Sequence, residues 1–448
     1  MEGCCVCMGD YTSPIILNSG TTICGVCARR LSFCPTTRIR IVNRKPNAFA
    51  TSFFRIPRRL NVLDLVNSPN RIAYLNRYTV IEPYNINMLA IDNTFLLNLE
   101  EFMLFINKCD NINCIDGDRQ TRIIHYVCQY GTLDMFKYLI NKNVNLSCVD
   151  AYGNQPIHYA CKNEDISLAK YLVDFGVNIQ YANNDGNLPI HVACRKGAKG
   201  LELVKHLVEH GADVNRATGD DNDGNDRWYP MHYACCWGDD ALELVKYLVA
   251  HGANVNCADI NGEQPLHTAC DSGDDALELV KFLVEHGADV NCQMNCGQRP
   301  IHCVCDMGDE ALKLFDFLLE CGADINCVGG MGQYPIHYAC RKGDDSLQMV
   351  RRLLKYGVDV NCANAFSEQP IHYACYAAFY DDGDTLELVK CLAENGADLN
   401  CPDSKGWRPI QIAHEFNSLN VFEFLISKGV ELPSDLLVDG ELIRHRHH

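Results

Sequence analysis

The sequence predicts an all-α repeat solenoid, a stack of helix pairs, preceded by a small zinc-stabilised segment. The first observation behind this is a hexad, Pro-Ile-His-Tyr-Ala-Cys, that returns with small changes. Its prolines are Pro156, Pro189, Pro230, Pro265, Pro300, Pro335, Pro370 and Pro409, spaced by 33, 41, 35, 35, 35, 35 and 39 residues. Such a period marks stacked supersecondary units, and one undivided core would stop growing near ~250–300 residues. The second observation is a crowd of cysteines at the N-terminus, where six of the chain's 27 fall in the first 34 residues. The third is a break in charge. Tyr11 to Val62 holds no Asp or Glu but nine basic residues; with Glu2 and Asp10, residues 1–63 carry about +7, leaving about −25 of the net −18 to the rest.

The composition excludes several classes. At 47% hydrophobic and 21% charged the chain is an ordinary globular mix, not a disordered one. No apolar run approaches the ~18 residues of a membrane span, and Met1-Glu2-Gly3 opens no export signal. With so many thiols, a reducing compartment is expected, cytoplasmic or nucleocytoplasmic. The acidic balance argues against nucleic acid as a main ligand. Four segments are expected: 1–40, the zinc segment; 41–94, a basic linker or adaptor; 95–432, the repeat array; and 433–448, a tail.

In the first segment Cys4 and Cys7 form one pair, Cys24 and Cys27 another, with sixteen residues between the pairs. That spacing suits a four-thiolate structural zinc site, because a two-residue gap lets both thiolates of one turn reach the same metal. One zinc per chain is expected, and in so short a segment metal binding would supply most of the folding energy. Residues 4–38 further resemble a RING finger, the two-zinc cross-brace of many ubiquitin ligases. The first site of that family is complete in Cys4, Cys7, Cys24 and Cys27. In the second, Asn18, Thr21 and Thr37 stand where ligands belong and only Cys34 is kept. The resemblance implies a surface for a ubiquitin-conjugating enzyme made by Val6, Pro35 and Arg38. Arg38 occupies the place of the arginine that clamps ubiquitin in that family.

The basic run that follows, Arg38 to Arg59 with Phe49, Phe53 and Phe54 interleaved, reads as a linker or as a segment that docks on the acidic array.

Each array unit can be read from residues 226–259. Pro230 opens a short inner helix, where its fixed φ is harmless, and Met231, Ala234 and Cys235 give a buried face. Asp240-Ala241-Leu242-Glu243 reads as a capping box for an outer helix with the apolar stripe Leu242, Val245 and Leu248. Gly252 is placed to end that helix in a left-handed conformation. The same box is expected at Asp275/Glu278, Asp345/Gln348 and Asp384/Glu387. A lone pair of this kind cannot bury its own apolar faces, so it needs neighbours.

The hexad and the Gly-Ala-Asp-Val-Asn, or a close variant, that follows the outer helices resemble the ankyrin repeat, over roughly residues 95–432. The resemblance implies a stack of β-finger, inner helix and outer helix that binds proteins. Three departures stand out. The Thr that precedes Pro in the family is replaced by Gln155, Leu188, Tyr229, Gln264, Arg299, Tyr334, Gln369 and Arg408, which puts the usual Thr–His hydrogen bond in question. Most units have 35 residues, the extra two in the helix–helix turn around Asp239-Asp240. Insertions lengthen one finger at Gly219–Asp226 and one inner helix at Ala377–Tyr380. Residues 95–114 read as an N-terminal capping half-unit, and Trp407 to Leu432 as the C-terminal one, with Gln411 replacing His.

Fifteen cysteines recur at two unit positions. Eight lie three residues after the hexad His, and seven stand at the end of the finger motif, six directly after Asn and Cys148 after Ser147. Each unit supplies two or three potential ligands where tetrahedral zinc needs four, so these thiols read as filler of Ala-sized slots. For the binding surface, the family's variable positions give Lys162, Arg195, Lys196, Trp237, Asp271, Asp306, Arg341 and Lys342 at inner-helix ends. Tyr152, Met331 and Phe366 stand at the finger tips. Two functions stay open: a scaffold that binds a protein partner, and a RING-type ubiquitin ligase whose array selects substrates. No phosphate loop, nucleophile elbow or paired-carboxylate motif is present.

Overall fold

The computed structural model describes residues 97–432 apart from 110, 116–118, 220–226 and 381–384, together with Ile72 and three short strand pairs. The pairs are antiparallel: β1 (Pro14–Ile16) with β2 (Thr22–Cys24), β3 (Ala90–Ile91) with β4 (Thr94–Phe95), and β5 (Leu437–Val438) with β6 (Glu441–Leu442). Two compact units divide the chain, Met1–Cys114 and Ile115–His448.

The first unit contains α1 (Leu99–Asn107), the helix read from sequence as a capping half-unit. It opens on a reciprocal capping box. Asn98 Oδ1 accepts from the Glu101 N–H at 3.0 Å, and Glu101 accepts from the Asn98 N–H at 3.1 Å.

The second unit is a run of nine helix pairs among the described residues. In order, the pairs are α2 (Ile123–Tyr130) and α3 (Leu133–Ile140), α4 (Pro156–Lys162) and α5 (Ser167–Asp174), α6 (Pro189–Cys194) and α7 (Leu201–Glu209). Next come α8 (Pro230–Cys235) and α9 (Leu242–Ala250), α10 (Pro265–Cys270) and α11 (Leu277–Glu285), α12 (Pro300–Met307) and α13 (Leu312–Glu320). The run closes with α14 (Pro335–Cys340) and α15 (Leu347–Lys355), α16 (Pro370–Tyr380) and α17 (Leu386–Glu394), α18 (Pro409–Glu415) and α19 (Leu419–Ser427). Inner helices pack on inner helices and outer on outer, so each pair is covered by its neighbours. Proline opens every inner helix from α4 onward, as expected. The insertion at Ala377–Tyr380 makes α16 eleven residues long where α14 has six.

The core repeats with the period. Ala234, Cys235, Leu244, Val245 and Leu248 are fully buried, and so are their equivalents Ala269, Cys270, Leu279, Val280 and Leu283 one unit later. A buried Leu or Val side chain contributes roughly 1.5–3 kcal/mol, so each unit's stability rests on the faces its neighbours cover.

Two expectations are corrected. The fingers, expected as β-fingers, carry no strand among the described residues. They are tight turns held by an Asx residue: Asp259 Oδ1 accepts from the Asn261 and Glu263 N–H groups at 2.8 and 2.7 Å. Successive tips then join through single backbone bonds, such as Asn295 N–H to Asn261 C=O at 2.7 Å. The second correction concerns the outer-helix caps. Asp240/Glu243, Asp275/Glu278 and Asp345/Gln348 form no capping boxes, because the residues from Gly238 to Ala241, and their equivalents, wind into a 3₁₀ turn. Asp384 lies outside the described residues.

The cap comes from the unit before. Asp239 accepts from the Glu278 and Leu279 N–H groups, at 3.2 and 2.7 Å, at the start of α11. Asp274 does the same for Lys313 and Leu314, Asp309 for Gln348 and Met349, and Asp344 for Glu387 and Leu388. The two extra residues of the 35-residue unit therefore build a turn that reaches the next helix and satisfies its orphan donors.

Candidate protein-binding surface

The hexad histidine sets the geometry of the inner-helix face. With Thr absent before Pro, Nδ1 accepts directly from the backbone N–H three residues earlier: Gln155 to His158 at 3.1 Å, Tyr229 to His232 at 3.2 Å, Gln369 to His372 at 2.9 Å. In four units Nε2–H then donates to the next unit's finger, on Asn187, Arg216, Glu263 and Glu368 carbonyls at 2.7–3.2 Å. His125 makes the same bond to Cys148 C=O at 3.4 Å. Accepting at one nitrogen and donating at the other fixes the neutral tautomer. Burial lowers the pKa of His125, His191, His267, His302 and His337 to about 4. In the C-terminal unit Gln411 accepts from the Arg408 N–H at 2.9 Å, as the histidine does elsewhere.

The residue after the histidine lies on the neighbouring face of the inner helix, half-buried as Tyr126, Tyr159, Tyr233 and Tyr373 and buried as Val192, Thr268, Cys303 and Tyr338. Along the inner helices this position carries Tyr126, Tyr159, Val192, Tyr233, Thr268, Cys303, Tyr338 and Tyr373. Two depressions form beside the tyrosines. One, of about 360 Å³, is lined by Tyr126, Tyr152, Tyr159, Lys162 and Arg195, among others. The other, of about 720 Å³, is lined by Asp306, Met331, Tyr338, Arg341, Lys342 and Tyr373 with their neighbours.

Polar contacts hold the rings in place. Tyr159 donates to Asp150 at 2.6 Å, and Tyr373 to Glu368 at 3.0 Å. The Arg195 guanidinium lies over the Tyr233 ring at 4.4 Å and donates to its hydroxyl at 2.9 Å. Lys162 stands over Tyr159 at 5.3 Å and Arg341 over Tyr338 at 5.7 Å. Burial pushes the Tyr338 phenol up to about 12 and raises those of Tyr159 and Tyr373 too, so these hydroxyls stay neutral donors.

A family model for ankyrin repeats (3 copies) matches residues 88–181, 124–218, 217–294, 274–364, 301–382 and 344–435. The chain belongs to the ankyrin-repeat family. Ankyrin repeats mark a protein–protein interaction scaffold, and they span most of this chain. No curated protein matches it. No helix among the described residues is long and apolar enough to cross a membrane.

The ankyrin array brings together many of the residues expected on the surface. Tyr152, Lys162 and Arg195 meet at the first depression, and Asp306, Met331, Arg341 and Lys342 at the second. Met331 is the most exposed large apolar side chain of the described residues, at 67%. Phe366 and Asp271 are also exposed. Trp237 is half-exposed and stands over Gly197 of the preceding unit, where a Cβ would fall 2.8 Å from the indole and the backbone has φ of 56°. Lys196 is turned inward, its ammonium bonded to the Asn163 carbonyl, and burial lowers its pKa. The tyrosine file itself was not singled out from sequence. Its signal was present, since Tyr159 and Lys162 are three residues apart on one helix and so share a face.

The repeat cysteines behave as filler. All eight that follow the hexad His are fully buried: Cys128, Cys161, Cys194, Cys235, Cys270, Cys305, Cys340 and Cys375. Desolvation raises their pKa values, to about 12 for Cys161. Cys148, Cys257, Cys292, Cys327, Cys362 and Cys401 lie against the histidine ring, Cys257 at 3.9 Å from His232 and Cys292 at 3.7 Å from His267. Each such contact pairs one thiol with one imidazole. Of the zinc ligands expected in the head, Cys4, Cys7 and Cys27 lie outside the described residues, as do Val6, Pro35 and Arg38. Cys24 is described as the last residue of β2, opposite Pro14. The donor set, four thiols as two Cys-x-x-Cys pairs, suits zinc.

Proposed function

We propose that this protein is a scaffold whose ankyrin array grips a protein partner along the inner-helix face. The observation that carries this is the tyrosine file with cations stacked on its rings. Tyr and Arg are the residues that most often dominate binding energy, because they present large, rigid contact areas with a polar handle. The file is interrupted at Val192, Thr268 and Cys303, and beside the last two Asp271 and Asp306 stand at the inner-helix ends. A partner matching this surface places a basic segment at the centre and apolar or aromatic groups over the two depressions. Tyr159→Ala or Tyr338→Ala should weaken the partner at least about tenfold, or ~1.4 kcal/mol, while Glu243→Ala on the outer helix leaves it unchanged. Equal affinities in all three variants would contradict the proposal.

The N-terminal segment is read as a knuckle folded on one zinc. The Cys pairs support this, as does the β1–β2 pair that ends at Cys24. Metal analysis should find one zinc retained through desalting and lost in a Cys4→Ser/Cys24→Ser variant. None, or two retained, would contradict it.

A second reading is a RING-type ubiquitin ligase, in which the array holds the substrate. It is favoured by the same strand pair, which falls within the RING-like stretch, and by Val6, Pro35 and Arg38. Such a ligase supplies no nucleophile; it orients a conjugating enzyme that carries ubiquitin. The assay is ubiquitin discharge from a panel of charged conjugating enzymes. Discharge that fails in Val6→Ala and Arg38→Ala establishes the ligase, and no discharge across the panel removes it.

A further inference from the structure

The geometry points to a divalent-metal site on the outer helices, formed by Asp174, His206 and His210, which binds a zinc-class ion reversibly and staples α5 to α7. It is independent of the zinc expected in the head and lies in the second unit. Among the described residues this is the only group of three or more His, Cys, Asp or Glu side chains whose donor atoms all lie within 4.8 Å of one another.

Three features make it a site rather than a chance cluster. The first is spacing. Asp174 Oδ1 lies 2.8 Å from His206 Nε2 and 3.4 Å from His210 Nε2. Tetrahedral zinc with bonds of ~2.0–2.1 Å places its ligand atoms roughly 3.3–3.4 Å apart; the Asp174–His210 separation matches that edge, the Asp174–His206 contact is a shorter hydrogen bond, and all three donors lie within 4.8 Å of one another. His206 and His210 are four residues apart, which puts both imidazoles on one face of the helix end.

The second is tautomer. His210 Nδ1–H donates to the His206 carbonyl at 2.8 Å, leaving the Nε2 lone pair directed toward Asp174. A backbone carbonyl holding the far nitrogen is the usual support of a metal-bound histidine, since it fixes the ring and raises its basicity.

The third is the local field. Asp174 is the last residue of α5, His206 is in the last turn of α7 and His210 caps its C-terminus. Both α5 and α7 thus bring the negative end of the helix dipole to this cluster, which favours a cation there.

The other units supply an internal contrast. His251 and His286 occupy the His210 position and make the same Nδ1–H bond, to Tyr247 and Phe282 carbonyls at 2.8 Å. Where His206 would be, those units carry Tyr247 and Phe282, whose rings cover the imidazole at 4.0 and 3.9 Å. The recurring histidine is a helix cap; only in this unit do a second imidazole and a carboxylate join it. Imidazole and carboxylate together suit zinc, cobalt, nickel or copper rather than calcium or magnesium. The donor set leaves a fourth position for water or for a donor from a bound protein.

The test is a titration of the desalted, reduced full-length protein with zinc chloride against a competing chromophoric chelator, and with cobalt chloride by absorption. One exchangeable binding event is expected, with cobalt d–d bands and no thiolate-to-cobalt charge-transfer band, and zinc should raise the unfolding midpoint. His206→Ala/His210→Ala should abolish the event, Asp174→Asn should weaken it at least about tenfold, and His251→Ala should leave it intact. Circular dichroism shows whether each variant is folded. If Asp174→Asn and the double variant both titrate like the parent, the site is refuted; a thiolate band that persists in the double variant belongs to the head's cysteines, and cobalt uptake confined to that band refutes the site as well. An exposed His–Asp ion pair that takes up no zinc refutes it equally.

Discussion

His232 holds two backbone groups of neighbouring units at once, the Tyr229 N–H and the Glu263 C=O. Truncation takes the acceptor from the part-buried Tyr229 N–H and leaves the Glu263 C=O with the Asp259 N–H, so His232→Ala should destabilise the array by about 1–3 kcal/mol, measured by urea unfolding. Asparagine, which can replace one bond, should recover part of the loss. The thiols offer a second residue-scale prediction. Alkylation of the native protein at pH 8, followed by peptide mass mapping, should label the exposed Cys296 first among the described cysteines. Cys236 should lag although exposed, because desolvation pushes its thiol up to about 11. Cys128, Cys161 and Cys235 should stay unlabelled. The cysteine reading was legible in the sequence because thiols stood where Ala-sized residues recur. The histidine's hydrogen bonds were not, since its partners are a backbone N–H made available by the missing Thr and a carbonyl about 30 residues away.

At the scale of elements, the outer-helix caps show where local reading fails. Asp240 and Glu243 have the spacing of a capping box, and a local pattern has no access to a donor pair 39 and 40 residues along the chain. The period carried the clue: a Gly-Asp-Asp or Gly-Asp-Glu turn recurs with the 35-residue unit and vanishes from the 33-residue ones. Asp274→Ala should therefore cost about 0.5–2 kcal/mol by freeing the Lys313 and Leu314 N–H groups. Asp275→Ala, one residue on, should cost less than half as much. Ala198 occupies the capping position ahead of α9, and Ala198→Asp should stabilise the array by about 0.5–1 kcal/mol. Thermal unfolding of the three variants ranks them. Helix positions, the inner-helix proline starts and the long α16 were all legible from periodicity, because those signals are local. The fingers were read as strands where the Asx turn holds them instead.

For the molecule as a whole, the buried histidines couple stability to pH. Each has a pKa near 4 in the folded chain against 6.5 when unfolded, for the five named above. The unfolded chain thus binds protons first as pH falls. Stability is complete above pH 6.5 and declines by about 1.4 kcal/mol per pH unit for each such histidine down to pH 4. Acid unfolding followed by circular dichroism should show that onset below pH 6.5; a flat profile from pH 7 to 4.5 would contradict it. The repeat architecture was legible in the sequence because one unit is written nine times. The binding face was legible only in part, since the tyrosines were absorbed into the repeat signature that also encodes the core. The central claim, that the inner-helix tyrosine face grips a protein partner, is tested most directly by site-specific photo-crosslinking. A photoreactive residue at position 159 or 338 should join the array to the partner, and one at position 246 or 281 on the outer helices should not. Crosslinks from the outer positions with none from the inner ones would contradict the account.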